Sequence, residues 1–247
     1  MISVCMTSYN GEKFLKQQMD SILSQLSDTD ELIISDDGSS DKTIEIINSY
    51  NDSRIKLLNH EKNPSFSKIK YSRSFYYASA NFENAIKNAK GDYIFLSDQD
   101  DIWEESKVEK MVNILKSVDC VHCNNGVIDS QGNKTNAYAK KAMFSQSVLQ
   151  NLKTTPFLGC CMAFRKEALK YILPFPKKCI GHDLWIGCLC AAKNQLIYID
   201  EPLLLYRVHE NNVSPSVTLQ SKNPLWFKIL YRISFIFQFF VRLHKGV

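Results

Sequence analysis

Apolar positions in the first half of the chain fall into two alternating rhythms. Short unbroken runs, ISVCMTSY (2–9), ELIIS (31–35), RIKLL (54–58) and DYIFLS (92–97), have the length and composition of buried strands. Between them the spacing changes to three and four. EKFLKQQMDSILSQL (12–26) sets Phe14, Leu15, Met19, Ile22, Leu23 and Leu26 on one face, and KTIEIINSY (42–50) does so with Ile44 and Ile47. ANFENAIKNAKG (80–91) reads as a helix stopped by Gly91. ESKVEKMVNILKSV (105–118) turns Val108, Met111, Val112 and Leu115 inward. Strands alternating with helices predict parallel strands joined by crossover helices, and uninterrupted apolar strands predict a sheet covered on both faces.

The second half is less regular. GCCMAFRKEAL (159–169) predicts a strand running into a helix, GHDLWIGCLCAAK (181–193) a helix starting between Gly181 and Asp183, and LIYID (196–200) a strand. Residues 59–75, rich in Lys, Ser, Asn and Tyr, read as a long loop. There is no internal repeat. The expected organisation is one α/β domain over 1–214, followed by a tail at 215–247.

In open parallel sheets, ligands bind beyond the carboxyl ends of the strands. Three such ends carry suggestive residues: Thr7 to Gly11, Ser35 to Asp41, and Ser97 to Asp101. Asp98 and Asp100 stand two apart, and carboxylates so crowded call for a cation. Oxygen donors suit Mg²⁺ or Mn²⁺, and Mg²⁺ commonly shares its carboxylates with substrate phosphates. The plain alternative is that Asp100 or Asp101 caps the following helix, as Asp41 would cap its own. Tyr9 could stack on a base or simply pack the rim.

Taken together, VCMTSYNGEKFLKQQMDSIL, ELIISDDGSSDKT and NAKGDYIFLSDQDDIW, with GHDLW and YRVHENN later in the chain, closely resemble the family 2 inverting glycosyltransferases of GT-A fold. Within that family the chain is similar to bacterial rhamnosyltransferase-like enzymes of surface-polysaccharide synthesis. The resemblance runs from residue 2 to about residue 214. It implies a Rossmann-like three-layer α/β/α fold with a mostly parallel central sheet, its nucleotide-sugar-binding half at 1–101 and its acceptor and catalytic-base half at 102–214. It further implies that Thr7, Tyr9 and Asn10 bind the nucleotide sugar, Asp37 reaches the pyrimidine, and Asp98 lies near the ribose or diphosphate. Asp100 would be the principal ligand of Mn²⁺ or Mg²⁺, with Asp98 and His209 beside it, and Asp183 the general base. Arg207 would clamp the diphosphate or act as a structural ion-pair partner. Trp185, Gly159 and His182 are expected to form the acceptor pocket, where glycine permits close backbone approach; Trp103 is wall or core. The implied donor is dTDP-rhamnose or a UDP-hexose, and the acceptor a hydroxyl of a glycan or lipid-linked saccharide. Nucleotidyl transfer to a sugar phosphate and an inactive nucleotide-sugar-binding module are the alternatives. The loop at 60–82 is longer than the family pattern leads one to expect.

Composition narrows the setting. A net charge of +4 argues against a dedicated nucleic-acid binder. Eight cysteines without framework spacing suit free thiols in a reducing compartment. Cys120 and Cys123 have CxxC spacing but no second ligand pair, so packing thiols are expected rather than zinc. No basic run precedes the first apolar stretch, so no secretion signal is expected. LWFKILYRISFIFQFFVRL (225–243) is too often interrupted by charge for a membrane span. On a helical wheel Lys228, Arg232, Ser234, Gln238 and Arg242 share one side. This predicts a basic amphipathic helix lying in the membrane interface, with docking on the domain or a homodimer contact as the alternatives. The enzyme would then be cytoplasmic and peripheral on the membrane.

Overall fold

The computed structural model describes residues 1–135, 143–210, 212 and 223–244. The expected domain boundary at 214, Asn211 and most of the segment leading to the tail helix lie outside the described residues. The chain begins with β1 (Ile2–Ser8), α1 (Leu15–Leu23), β2 (Glu31–Asp36), α2 (Thr43–Ser49) and β3 (Ile55–Asn59), then α3 (Arg73–Lys87) and β4 (Tyr93–Ser97). It continues through β5 (Ile102–Trp103), α4 (Lys107–Leu115), β6 (Cys120–Ile128), α5 (Val148–Thr154), β7 (Met162–Arg165), α6 (Leu169–Ile172), α7 (His182–Ala192), β8 (Leu196–Arg207) and α8 (Leu225–His244).

One eight-stranded sheet has the order β3-β2-β1-β4-β7-β6-β8-β5. β1 is parallel to β2 and β4, β2 to β3, and β6 to β8, whereas β7 runs antiparallel to both neighbours and β5 antiparallel to β8. Six strands therefore share one direction, so the carboxyl ends of β1, β2, β4 and β8 lie on one rim. The reversed β7 brings its beginning, and Gly159 just before it, to that same rim.

Side-chain alternation along the strands divides the core into two layers. Cys5, Ile33, Ile94, Leu96 and Phe164 face α3, α6, α7 and two phenylalanines of α8. Val4, Met6, Leu32, Ile34, Phe95 and Ala163 face α1, α2 and α4. Trp103, left open between wall and core, belongs to the core against Phe95. All eight cysteines are free and buried. Cys120 and Cys123 are part of β6, which the sequence pattern did not mark as a strand because His and Asn interrupt the apolar run.

Two local expectations change. The long loop contains a 3₁₀ turn over Pro64–Lys68, and α3 starts at Arg73, well before Ala80. Three adjacent aromatics, Phe75 to Tyr77, hide the helical period there; only Tyr76 of the three is buried. Asp101 caps no helix, since α4 begins at Lys107. It is buried, and its Oδ1 accepts the Arg207 backbone N–H at 3.0 Å.

The tail helix docks on the body by its polar side. Phe235 and Phe239 are buried. The Arg232 Nε donates to the Leu152 carbonyl at 3.2 Å, and the Arg242 guanidinium donates to the carbonyls of Tyr171, Leu173 and Pro174. Two of the residues expected on the basic face are thus turned inward. No helix among the described residues is long and apolar enough to cross a membrane.

Candidate active site

A cavity of about 610 Å³ opens at the rim where β1, β2, β4 and β8 end, and the loop before β7 and the start of α7 close its far side. Turn chemistry shapes its floor. At the end of β2, Asp36 is buried and accepts from Ser8 Oγ, the Gly38 and Ser39 N–H groups and Ser39 Oγ. Gly38, at φ +79°, supplies the left-handed residue of this turn. With Asp36 so occupied, Asp37 is the acid that lines the cavity. Its Oδ1 meets His60 Nδ1 at 2.6 Å.

Thr7, Tyr9 and Asn10 line the cavity beside Asp37. Asn10, itself at φ +49°, bridges two strand ends: its Oδ1 accepts the Ser40 N–H and its N–H donates to Ser39 Oγ. The Gln99 amide pairs with the Tyr9 backbone through both of its groups, at 2.8 and 3.1 Å. A Cβ at Gly11 would lie 2.3 Å from Gln99 Oε1, so that close approach requires glycine. The Tyr9 ring is half exposed and carries the Lys62 ammonium 3.5 Å from its centroid.

At the end of β4, Asp98 and Asp100 both line the cavity, as does His209. His209 Nε2 stands 2.8 Å from Asp100 Oδ2, and its ring packs on Phe14 at 4.9 Å. The Asp98 carboxyl is pushed up to about 7, first by loss of water and then by Asp100 and Asp183 nearby. Donor atoms of Asp98, Asp101 and Cys160 all lie within 4.8 Å of one another. The expected set is a different one: Asp98, Asp100 and His209 share the cavity lining, two carboxylates and an imidazole whose chemistry suits Mn²⁺ or Mg²⁺. Behind them Lys107 is fully buried, its Nζ donating to the Cys160 carbonyl at 2.6 Å.

Arg207 lies outside the cavity lining. Fully buried, it donates from Nε to the Asp100 carbonyl at 2.8 Å, from Nη1 to the Asp129 carbonyl and from Nη2 to Gln17 Oε1 at 2.6 Å. It ties down the backbone carrying Asp100 from outside the cavity lining.

The opposite wall is the first turn of α7. Asp183 is the second residue of the helix, with Gly181 as N-cap, and its Oδ1 accepts the Leu184 N–H at 2.8 Å. Burial pushes its carboxyl up to about 6 against those hydrogen bonds. His182 stacks on Phe82 at 4.0 Å, and burial holds its imidazole down to about 3, hence neutral. Its Nε2 has no partner. A Cβ at Gly159 would lie 2.6 Å from that nitrogen, so glycine here makes room for the His182 ring. Trp185 departs from expectation: it is buried, donates from Nε1 to the Ile172 carbonyl at 3.0 Å and packs on Phe235. Two residues past Asp183 on α7, it faces the tail helix and does not line this cavity.

Sequence reasoning missed His60, Lys62, Gln99 and Phe82. The first two sit in the unusually long loop, where no periodicity fixes a position. Gln99 had a signal, its place between the two paired acids.

A model of the family described as Glycosyl transferase family 2 matches residues 3–173. The chain is 31% identical over 234 residues to the dTDP-rhamnosyl transferase RfbG of Shigella flexneri, covering 88% of this chain and 76% of that protein. It is 27% identical over 219 residues to the UDP-Glc:alpha-D-GlcNAc-diphosphoundecaprenol beta-1,3-glucosyltransferase WfgD of Escherichia coli, covering 87% and 79%. Among solved structures, S. aureus TarS 1–349 in complex with UDP-GlcNAc superposes with a TM-score of 0.65 at 17% identity, covering 95% of this chain and 71% of that one. The mannosyltransferase PcManGT from Pyrobaculum calidifontis, in complex with GDP-Man and Mn²⁺, gives 0.58 at 17% identity, covering 100% and 64%. These likenesses show the GT-A fold.

Proposed function

Since the chain belongs to glycosyl transferase family 2, we propose that it transfers a sugar, with inversion, from dTDP-rhamnose or a UDP-hexose to a hydroxyl of a glycan or lipid-linked saccharide in bacterial surface-polysaccharide synthesis. The observation that carries this reading is that one cavity gathers Asp37 and Tyr9 at one end, Asp98, Asp100 and His209 in the middle, and Asp183 on the opposite wall. That order suits a donor lying along the rim with its anomeric carbon turned toward Asp183.

In this reading Thr7, Tyr9 and Asn10 line the base site, and Asp37 accepts a pyrimidine N–H while His60 holds its Oδ1. Asp98, Asp100 and His209 would hold Mn²⁺ or Mg²⁺, which would supply positive charge to offset that of a departing diphosphate. Arg207 keeps Asp100 in place. Asp183 takes the acceptor proton as the acceptor oxygen bonds to the anomeric carbon and the bond from that carbon to the diphosphate oxygen breaks. One displacement on the face opposite the leaving group inverts the configuration. A carboxyl titrating at about 6 is ionised at neutral pH yet a stronger base than an exposed one, and such help is worth about 10²- to 10⁴-fold. His182 and Gly159 shape the acceptor side. The same reading puts the enzyme at the cytoplasmic face of the membrane.

The test is thermal stabilisation by dTDP, UDP, GDP and CDP, each with and without Mn²⁺. A ligand at a hundred times its Kd adds about 2.7 kcal/mol. Metal-dependent stabilisation by dTDP or UDP that disappears in Asp100→Ala is the expected result. Stabilisation by none of the four would overturn the nucleotide-sugar site.

A further inference from the structure

We propose that the outward face of α8 docks this protein on an anionic lipid bilayer and brings the mouth of the cavity to the membrane surface. The membrane location of the preceding reading is thereby given a surface and an orientation.

The observation is an inversion of the usual surface helix, which turns its polar side to water. Here the polar side, through Arg232 and Arg242, is held against carbonyls of the body, and only Phe235 and Phe239 of the apolar residues are buried with it. The opposite side presents Trp226, Leu230, Ile233 and Phe237 at 55%, 57%, 59% and 69% exposure. Leu149 of α5, 62% exposed, continues the surface across a groove lined by both helices. A contiguous apolar face of this kind marks a partner or a membrane.

Charge selects between them. The surface is assembled from residues 68–77, 148–154 and 223–244: Tyr71 packs on Trp226 and Phe227, Asn223 Nδ2 donates to Ser72 Oγ, and Arg232 reaches Leu152. These three segments contain seven Lys and Arg (Lys68, Lys70, Arg73, Lys153, Lys228, Arg232, Arg242) and no Asp or Glu. Arg232 and Arg242 face the body, with Glu83 near Arg242; the other five are exposed or half-exposed, and a second copy placed on this face about a twofold axis would set them against one another with no acid of these segments to offset them. Anionic headgroups meet the same rim favourably, each nearby cation contributing about 1 kcal/mol in bilayers of this kind. Trp226, at the end of the apolar face, is a side chain that favours the headgroup level.

The placement bears on function. Tyr71, against which Trp226 packs, lies three residues before Ser74, and Ser74 and Phe75 line the cavity. Docking α8 flat on a bilayer therefore sets the cavity mouth beside the lipid, where a saccharide carried on a membrane lipid would present its hydroxyl.

The chain has three tryptophans. Trp103 and Trp185 are buried and Trp226 is exposed, so an emission change on adding vesicles reports on α8. The experiment uses the full chain with vesicles of pure phosphatidylcholine and of 7:3 phosphatidylcholine:phosphatidylglycerol, followed by tryptophan emission and co-sedimentation. The expected result is a blue shift and co-sedimentation with the phosphatidylglycerol vesicles, weakened by salt. Ile233→Glu/Phe237→Glu should lower vesicle affinity by about tenfold or more, because burying each such side chain is worth more than one decade of binding. Its nucleotide-dependent melting shift should stay intact, and Leu230→Ser/Ile233→Ser gives a milder pair should the acidic one fold poorly. No shift with either vesicle, or binding unchanged in both pairs, overturns docking while leaving the sugar-transfer reading standing. Concentration-dependent dimerisation abolished by the same variants, without vesicle binding, overturns it in favour of a second copy.

Discussion

Replacing Asp183 by Asn should make the protein more stable and nearly inactive. The carboxyl at 183 titrates at about 6 against an ordinary 3.8 because the cavity wall strips it of water. Two pKa units correspond to about 3 kcal/mol of penalty for holding the charge in the folded state. Half-burial leaves some water to screen it, and Asn gives up the favourable interaction of a carboxylate with a helix N-terminus, about 0.3–1 kcal/mol. Asn keeps an oxygen for the Leu184 N–H. The net gain is about 1–2 kcal/mol at pH 7.5. Its pH dependence follows from the raised folded pKa: below about pH 4 the carboxyl is protonated in both states and the gain is absent, and it appears as pH rises through 4 to 6. Urea denaturation of both proteins at pH 4 and 7.5 measures this, and initial rates of sugar transfer measure the loss of the base, about 10²- to 10⁴-fold. A variant less stable at pH 7.5, or equally stabilised at both pH values, would refute the desolvation argument. Turnover within a few-fold of the parent would refute the role as base.

Four further outcomes follow from the same geometry. The parent's kcat/KM should rise with pH through about 6 as Asp183 ionises, and a profile flat from pH 5 to 8 would remove it from the chemistry. Gly159→Ala should destabilise by about 1–3 kcal/mol through its clash with His182 Nε2, read by thermal melting; a neutral result would mean that the ring has room to move. Arg207→Met should destabilise by about 2–4 kcal/mol, since the Asp100 and Asp129 carbonyls lose the fully buried guanidinium that donates to them. Nucleotide affinity of the folded Arg207→Met fraction, measured without metal, should be unchanged, whereas a large loss would restore Arg207 as a diphosphate clamp. Tyr9→Ala should weaken nucleoside binding by about 1–3 kcal/mol if the base stacks there, measured by calorimetry.

The strand–helix rhythm made the parallel first half of the fold legible in the chain itself, because a buried parallel strand must be apolar throughout and a crossover helix must show its period. The three strand ends could be read for the same reason: in such a sheet the carboxyl ends share a rim, so the acids of 37, 98 and 100 had to meet. Even the acid at 183 was legible as a cavity residue, from a motif at a helix start. What the chain order could not reveal is how distant segments face one another. The reversal of β7 brings Gly159 to the rim, and only then does His182 explain the glycine. Asp36 and Asp37 are adjacent and chemically alike, and the hydrogen bonds of one turn decide which of them serves the cavity. Trp185 looked like a ligand-binding residue because an aromatic near a motif often is, and Arg207 stood open between a diphosphate clamp and a structural ion-pair partner. Packing turned both inward, one onto the Asp100 backbone and the other onto α8. The tail gave its two faces to the helical wheel, but the carbonyls left at the surface of the body, accepting from Arg232 and Arg242, decided which face would be left to the outside.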